Sequence, residues 1–367
     1  MRGRYSFALR RAPGRKPCRC PVVAGAPFRF AGGDLLNDSP ETRAKRATIE
    51  DVAKLAGVSR QTVSRAVNDK AEIDADTKRR VMDAVRTLNY RPSRFARGLI
   101  RQDTTTLGLI ISDIGNPFFP ELASGVLRAA QARDWQVVLY DTGDDPEREL
   151  RALSTLADQA DVGVGFLSRP VALAHATKLG VPFAVLDPGW DTGTTPGVRI
   201  DMSAGVRLAV EHLAAAGHRR LGMIDGAADP RDERRVSFLA VARELGLDVD
   251  EDDVEPASCS VEGGADAARA LLARRPDRTA VFAYNDVLAV GAVRGLKAAG
   301  LRVPEDCAVV GFDGLPLGEL VEPPITSVYV DIRRMGELAV AAAAELLAGR
   351  VPEPAVLRPQ LRVRGSA

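Results

Sequence analysis

The sequence predicts a small all-α module ahead of an α/β body made of two doubly wound, Rossmann-like parallel sheets. Three observations carry this expectation. Residues 48–91 hold short amphipathic helical segments separated by turn signals, with no strand-like run. From Thr106 onward, short apolar runs alternate with amphipathic helices, the texture of parallel sheets covered on both faces. Roughly ten such runs are too many for one compact sheet, so the body divides in two.

Each element has a local reason. Residues 1–46 mix Arg, Pro, Gly and Ala without a sustained period and read as a disordered basic leader. Thr48-Ile49-Glu50-Asp51 is a capping-box-like start, followed by Ile49, Val52, Ala53 and Ala56 at helical spacing. Gly57 ends that helix, and Ser59 caps a second with Val63, Ala66 and Val67 on one face. Asn68-Asp69 closes it. A third helix is expected over 76–88, with Val81, Ala84, Val85 and Leu88 inward, and a short helical segment over 94–101 follows Pro92-Ser93. In the body, strands over 107–111, 136–140, 162–167 and on to 308–312 alternate with helices such as 119–133 and 147–159.

Composition bounds the function. At 367 residues, with 46% hydrophobic and 27% charged residues, the chain has room for two or three soluble domains. No apolar run approaches the roughly 18–20 residues that cross a bilayer. The Arg-rich start lacks the apolar core of an export signal, so a cytoplasmic location is expected. Cys18 and Cys20 have no further metal ligands in sequence, and Cys259 and Cys307 stand far apart, so reduced thiols and no metal are expected. Gly163-Val164-Gly165 lacks the third glycine of a dinucleotide site, no Gly-Lys-Ser/Thr phosphate loop appears, and the three histidines (175, 212, 218) have no nucleophile turn beside them. Neither an enzyme nor a bound cofactor is predicted.

The net charge of +1 conceals a strong asymmetry. Residues 1–46 carry 11 Lys/Arg against 3 acids, residues 47–102 carry 12 against 7, and the remainder carries 27 against 39. A basic front on an acidic body implies one end that faces nucleic acid and a body that phosphates would repel.

Helix, glycine turn and second helix within about twenty residues is the helix-turn-helix plan, whose second helix enters the major groove. Its leading residues here are Ser59, Arg60, Gln61 and Thr62, then Ser64 and Arg65. Arg and Gln have the bidentate geometry that reads guanine and adenine. The hydroxyls of Ser59, Thr62 and Ser64 and the amide of Asn68 suit phosphate contacts. The competing reading is a plain three-helix bundle with a polar outer face.

The string Thr-Ile-Glu-Asp-Val-Ala-Lys-Leu-Ala-Gly-Val-Ser-Arg-Gln-Thr-Val-Ser-Arg-Ala-Val-Asn-Asp (48–69) resembles the N-terminal signature of the LacI (lactose-repressor) family, and the likeness continues through Leu88-Asn89-Tyr90-Arg91-Pro92 into the body. The resemblance implies a transcriptional regulator, in character a repressor, that binds a pseudo-palindromic operator as a homodimer under the control of a small effector, by default a sugar. It puts Arg60, Gln61 and Arg65 at base-contacting positions. It also matches residues 93–100 to a hinge helix beginning near Arg94, with Leu99 as a minor-groove wedge. The implied division is a leader (1–46), a DNA-binding domain (47–91), a hinge (92–102) and an effector-binding, dimerising body of periplasmic-binding-protein type (103–367). Within that body, about 103–200 plus 331–357 form one subdomain and about 201–330 plus 358–367 the other. The apolar helix 335–347 returns to the first, and 360–364 is a last strand.

Ligands of doubly wound sheets bind at the carboxyl ends of strands. Asp113, Asp187, Asn285 and Asp313 each follow an expected strand, and carboxylates with an amide suit sugar hydroxyls. Phe118, Phe119 or Trp190 could stack on a sugar ring. In the family, positions matching Asp187, Asn285 and Asp313 line the effector site together with an arginine after Gly226. Arg231, Arg234 and Arg235 all qualify, and Arg234 is favoured. A secreted sugar-binding protein would share this body but would have no use for residues 48–69. A nucleobase or a partner protein remains an alternative signal.

Overall fold

A computed structural model describes residues 49–67, 73–88, 104–189, 197–227 and 229–367. The leader, Thr48, Asn68, Arg94, Leu99, the hinge and Trp190 lie outside the described residues. The chain divides into two compact units at Pro92 and Ser93.

The first unit contains α1 (Ile49–Ala56), α2 (Arg60–Val67) and α3 (Ala75–Thr87). Val52, Ala53, Ala56, Val63, Ala66, Val81 and Ala84 are buried together and form its core. Gly57 turns the chain between α1 and α2 at φ +64, a left-handed conformation that glycine adopts without a Cβ penalty. Ser59 Oγ accepts from Thr62 N at 3.1 Å and caps α2. The third helix starts one residue earlier than expected, because Asp74 is its cap and accepts from both Asp76 N and Thr77 N.

The second unit contains twelve strands in two six-stranded sheets. Sheet 1 has the order β11-β5-β4-β3-β1-β2, built from β1 (Thr106–Ile111), β2 (Gln136–Asp141), β3 (Val162–Gly165), β4 (Phe183–Leu186), β5 (Gly197–Ile200) and β11 (Ala355–Leu357). Sheet 2 has the order β12-β10-β9-β8-β6-β7, from β6 (Leu221–Asp225), β7 (Val254–Pro256), β8 (Ala280–Ala283), β9 (Ala308–Asp313), β10 (Thr326–Tyr329) and β12 (Gln360–Arg362). Among the described pairings only β10 with β12 is antiparallel. The chain leaves sheet 1 after β5, returns after β10 and crosses again between β11 and β12.

Helices cover both faces, as buried parallel sheets require. On sheet 1, α4 (Phe118–Gln131) packs with α11 (Ile332–Leu347) on one face, and α5 (Pro146–Gln159) with α6 (Pro170–Lys178) on the other. On sheet 2, α7 (Met202–Ala215) and α8 (Glu233–Glu244) lie opposite α9 (Val261–Arg274) and α10 (Asp286–Ala298). The first strand is buried throughout and apolar from Leu107 to Ile111, the signature of a central parallel strand.

Some boundaries differ from the sequence expectation, for identifiable reasons. Helix α11 begins at Ile332, not at residue 335, because Asp331 caps it through Arg334 N at 3.0 Å. The third strand stops at Gly165, not at 167, where φ is +154 and a Cβ would meet Ile110 O at 2.3 Å. The last strand ends at Arg362, not at 364, because Arg364 turns inward to donate to Ile325 O at 2.8 Å.

Helices α4 and α11 touch backbone to backbone: a Cβ on Gly125 would lie 2.1 Å from Arg333 O. Gly125→Ala must therefore push the helices apart and should cost about 1–3 kcal/mol. Thermal unfolding should register this as a drop of several degrees, and an unchanged midpoint would show that the pair has slack.

Candidate functional site

The exposed outer face of α2 carries Arg60, Gln61 and Arg65, while Thr62 and Ser64 are partly buried. Burying Val63 and Ala66 against α1 and α3 forces this orientation. Arg60 Nη1 reaches Glu50 Oε1 at 3.0 Å, so α1 steers one member of the row. Ser59 also lies 2.9 Å from Thr62 Oγ1, a short hydroxyl ledge at the helix N-terminus. The row is outward and open to a partner.

In the second unit, residues at the strand ends gather around Arg234. Asp232 caps α8, accepting from Arg234 N at 2.9 Å, and so fixes where the arginine leaves the backbone. The guanidinium carbon sits 4.2 Å from the ring centroid of Tyr284 and 4.7 Å from that of Phe312. Cation–π attraction at such a desolvated position is worth about 2 kcal/mol. Its Nη2 lies 3.5 Å from Asp313 Oδ1, while Nε is buried without a partner. Burial opposes the charge, but Tyr284, Asp313, Asp232 and Asp187 outweigh it and raise the pKa further.

The other two arginines are committed elsewhere. Arg231 is exposed and forks onto Asp229. Arg235 pairs with Glu251 at 2.6 Å and with Asp225 at 3.7 Å.

Asp313 ends β9 at φ +99 and is buried, and burial lifts its carboxyl to about 8 despite Arg234. The loop beyond it is held by Asp286, a fully buried carboxylate that accepts from Leu315 N and Ser327 Oγ, both at 2.5 Å. Burial raises Asp286 to about 7, against those hydrogen bonds. On sheet 1, Asp187 follows β4 at φ +40 and accepts from Ile200 N at 3.0 Å. Burial raises its pKa, and the charges of Arg234 and Glu233 act on it across the cleft. The charge of Asp187 also raises Asp313, so the carboxyl ends of the two sheets come within electrostatic reach of each other here.

The remaining expected residues are placed differently. Asn285 is buried and caps α10, its Oδ1 accepting from Leu288 N at 2.9 Å; the amide nitrogen is the part left for other contacts. Asp113 is exposed and accepts from Gly115 N at 2.8 Å, a local turn. Phe118 and Phe119 are buried, packed edge to face with each other and with Phe166 at centroid distances of 5.3–5.8 Å. Three participants were missed by the sequence reading: Tyr284, Phe312 and Asp232. Tyr284 sits one residue before Asn285, and Asp232 has the Asp-x-x placement of a helix cap, but their grouping needs the folded sheet.

Comparisons with known proteins bear on both units. Residues 48–93 match the model of bacterial regulatory proteins of the lacI family, and residues 210–367 match a periplasmic binding protein-like domain. The ribose operon repressor of Halalkalibacterium halodurans is 35% identical over 294 residues, covering 80% of this chain and 88% of its own. Among solved structures, the transcriptional regulator CelR in complex with cellobiose is similar with a TM-score of 0.67 at 33% identity, covering 88% of this chain and all of its own. The lac repressor dimer bound to operator and the anti-inducer ONPF gives a TM-score of 0.66 at 26% identity over 88% of this chain and 99% of its own.

A raised carboxyl pKa has a defined sign in stability. Unfolded, Asp313 releases its proton near 3.8; folded, it keeps it to about 8. The stabilisation is complete below the lower value and is lost as pH rises through the upper one. Asp313→Asn should therefore flatten the fall in urea-unfolding stability across this window, leaving the part due to the other raised carboxyls, Asp286, Asp187 and Asp225. An unchanged pH slope would mean that Asp313 stays ionised in the fold.

Proposed function

This chain belongs to the LacI family of bacterial regulatory proteins, and we propose that it is a repressor whose operator affinity is set by a sugar bound between its two sheets. It is a DNA-binding transcriptional regulator with a helical reader and a periplasmic-binding-type core. Among the described residues no helix is long and apolar enough to cross a membrane.

One observation supports the effector reading most. Asp187 from sheet 1 and Asp313 from sheet 2 converge on a buried guanidinium with an unpartnered Nε. Carboxylates and a guanidinium held in place are the acceptors and donors that vicinal hydroxyls require. The sugar named with CelR and the ribose operon of the H. halodurans relative point to the same class.

In the proposed cycle, two chains pair through their bodies and set one reading helix in each operator half-site. Residues 93–100, with Leu99 as the wedge, form the second contact between them. Sugar stabilises one relation of the two sheets over another, and operator affinity follows because the two states bind DNA differently.

Arg65→Ala should weaken operator binding by about 1–3 kcal/mol and relax preference at one base, whereas Thr62→Ala should weaken all sequences alike. A binding profile unchanged by Arg65→Ala would remove α2 as the reader. For the cleft, Arg234→Ala and Asp187→Ala should keep operator binding but lose its response to sugar. A normal response in both variants, followed by fluorescence anisotropy, would place the effector elsewhere.

A further inference from the structure

We propose that a cavity beside the crossing from β10 to α11 is a second ligand site, which takes a small organic acid through its carboxylate. The cavity shares no lining residue with the cluster around Arg234 and Asp187, so the proposal is independent of the effector reading. Its volume is about 270 Å³. It opens where the chain passes from sheet 2 to sheet 1, between Glu121 on α4, the segment from Tyr329 to Arg333, and Arg362 on β12. Leu315, just past the turn at Asp313, also lines it. Drug-sized pockets measure roughly 300–1,000 Å³, so the occupant is a small molecule.

The ligand class follows from which charges are already engaged. Glu121 accepts from Arg333 Nε at 2.6 Å, and Glu319 accepts from Arg364 Nη2 at 2.5 Å. Asp331 caps α11 through Arg334 N at 3.0 Å. Every carboxylate of the lining therefore has a partner. Arg362 differs: its guanidinium carbon lies 3.3 Å from the ring centroid of Tyr329, and among the described residues no carboxylate pairs with it. A guanidinium laid flat on a ring keeps its in-plane N–H edge open, and that planar fork matches a carboxylate with two parallel hydrogen bonds. The ring also holds the fork in place, so little side-chain freedom is lost when an acid docks. Leu315 and Val330 are buried and offer apolar contact to the carbon skeleton of the acid. The three acids of the lining set an upper limit on the ligand's charge. A phosphate, with close to two negative charges, meets more repulsion from them than a singly charged carboxylate does. The place of the cavity adds a structural link. Gly314 N donates to Ser327 Oγ at 3.1 Å, and Ser327 lies on β10 two residues before Tyr329. An acid held there sits against both the turn after Asp313 and the strand that carries the chain across to α11.

Calorimetric titration of the full chain with benzoate, isobutyrate and pyruvate tests this, with benzamide and inorganic phosphate as controls. At least one of the acids is expected to bind, and uncharged benzamide and phosphate to bind about 10-fold or more weakly than it. Arg362→Gln should weaken that acid by about the same factor, while Arg234→Ala leaves its affinity unchanged. In the unaltered chain, the bound acid should slow phenylglyoxal labelling of Arg362 several-fold relative to the exposed Arg231, as read by mass spectrometry. Failure of all three acids to bind overturns the proposal, as does phosphate binding as tightly as the best of them. Binding that survives Arg362→Gln, or that disappears in Arg234→Ala, places the acid elsewhere and overturns it too. Labelling of Arg362 that saturating acid does not slow has the same force, and it needs no variant to fold.

Discussion

Parallel pairing constrains most of this structure. Strands that run the same way cannot be joined by a tight turn, so most connections become helices laid over a face. Helices on both faces make the central strands largely apolar, as in β1 from Leu107 to Ile111, and favour the strand ends for polar side chains. All carboxyl ends then lie along one edge of a sheet. Two such sheets, linked by crossings after β5, after β10 and between β11 and β12, bring two polar edges together. The cleft is a consequence of the winding.

Within that cleft the central object is one buried guanidinium. A charge removed from water is costly unless neighbours replace its hydration. Here Tyr284 and Phe312 supply ring faces, Asp313 supplies a carboxylate and Asp232 fixes the backbone at the base of the side chain. The arrangement leaves Nε without a partner. Asp286 acts behind it by holding the turn that presents Asp313. The strained φ values of Asp187 and Asp313, +40 and +99, belong to the same edge, where strand-end turns aim side chains that regular strands would bury.

The reader module rests on a different economy of scale. Seven small or branched residues form its core, and Val63 with Ala66 fixes which face of α2 is outward. That alone exposes Arg60, Gln61 and Arg65 as a row. The two units share a chain but use unrelated devices: a helix face read from outside, and a cleft read from within.

Much of this was legible in the order of residues. Periodicity located α1, α2 and the alternating body, because amphipathic spacing is a local property. The string from Thr48 to Asp69 identified the reader, and strand-end position nominated Asp187, Asn285 and Asp313. Local sequence could not choose among Arg231, Arg234 and Arg235, since all three are polar residues beside one helix start. The fold distinguishes them by what lies 50 to 80 residues away: Tyr284 and Asp313 stand next to Arg234 only because β8 and β9 are neighbours in sheet 2. Phe118 and Phe119 show the converse. Their aromatic character suggested a stacking surface, but with Phe166 they are packed into the core beneath α4. Sequence thus determined which segments form elements and what chemistry each strand end offers. Tertiary structure decided which of those groups meet, because contact across a sheet depends on strand order, which no local pattern encodes.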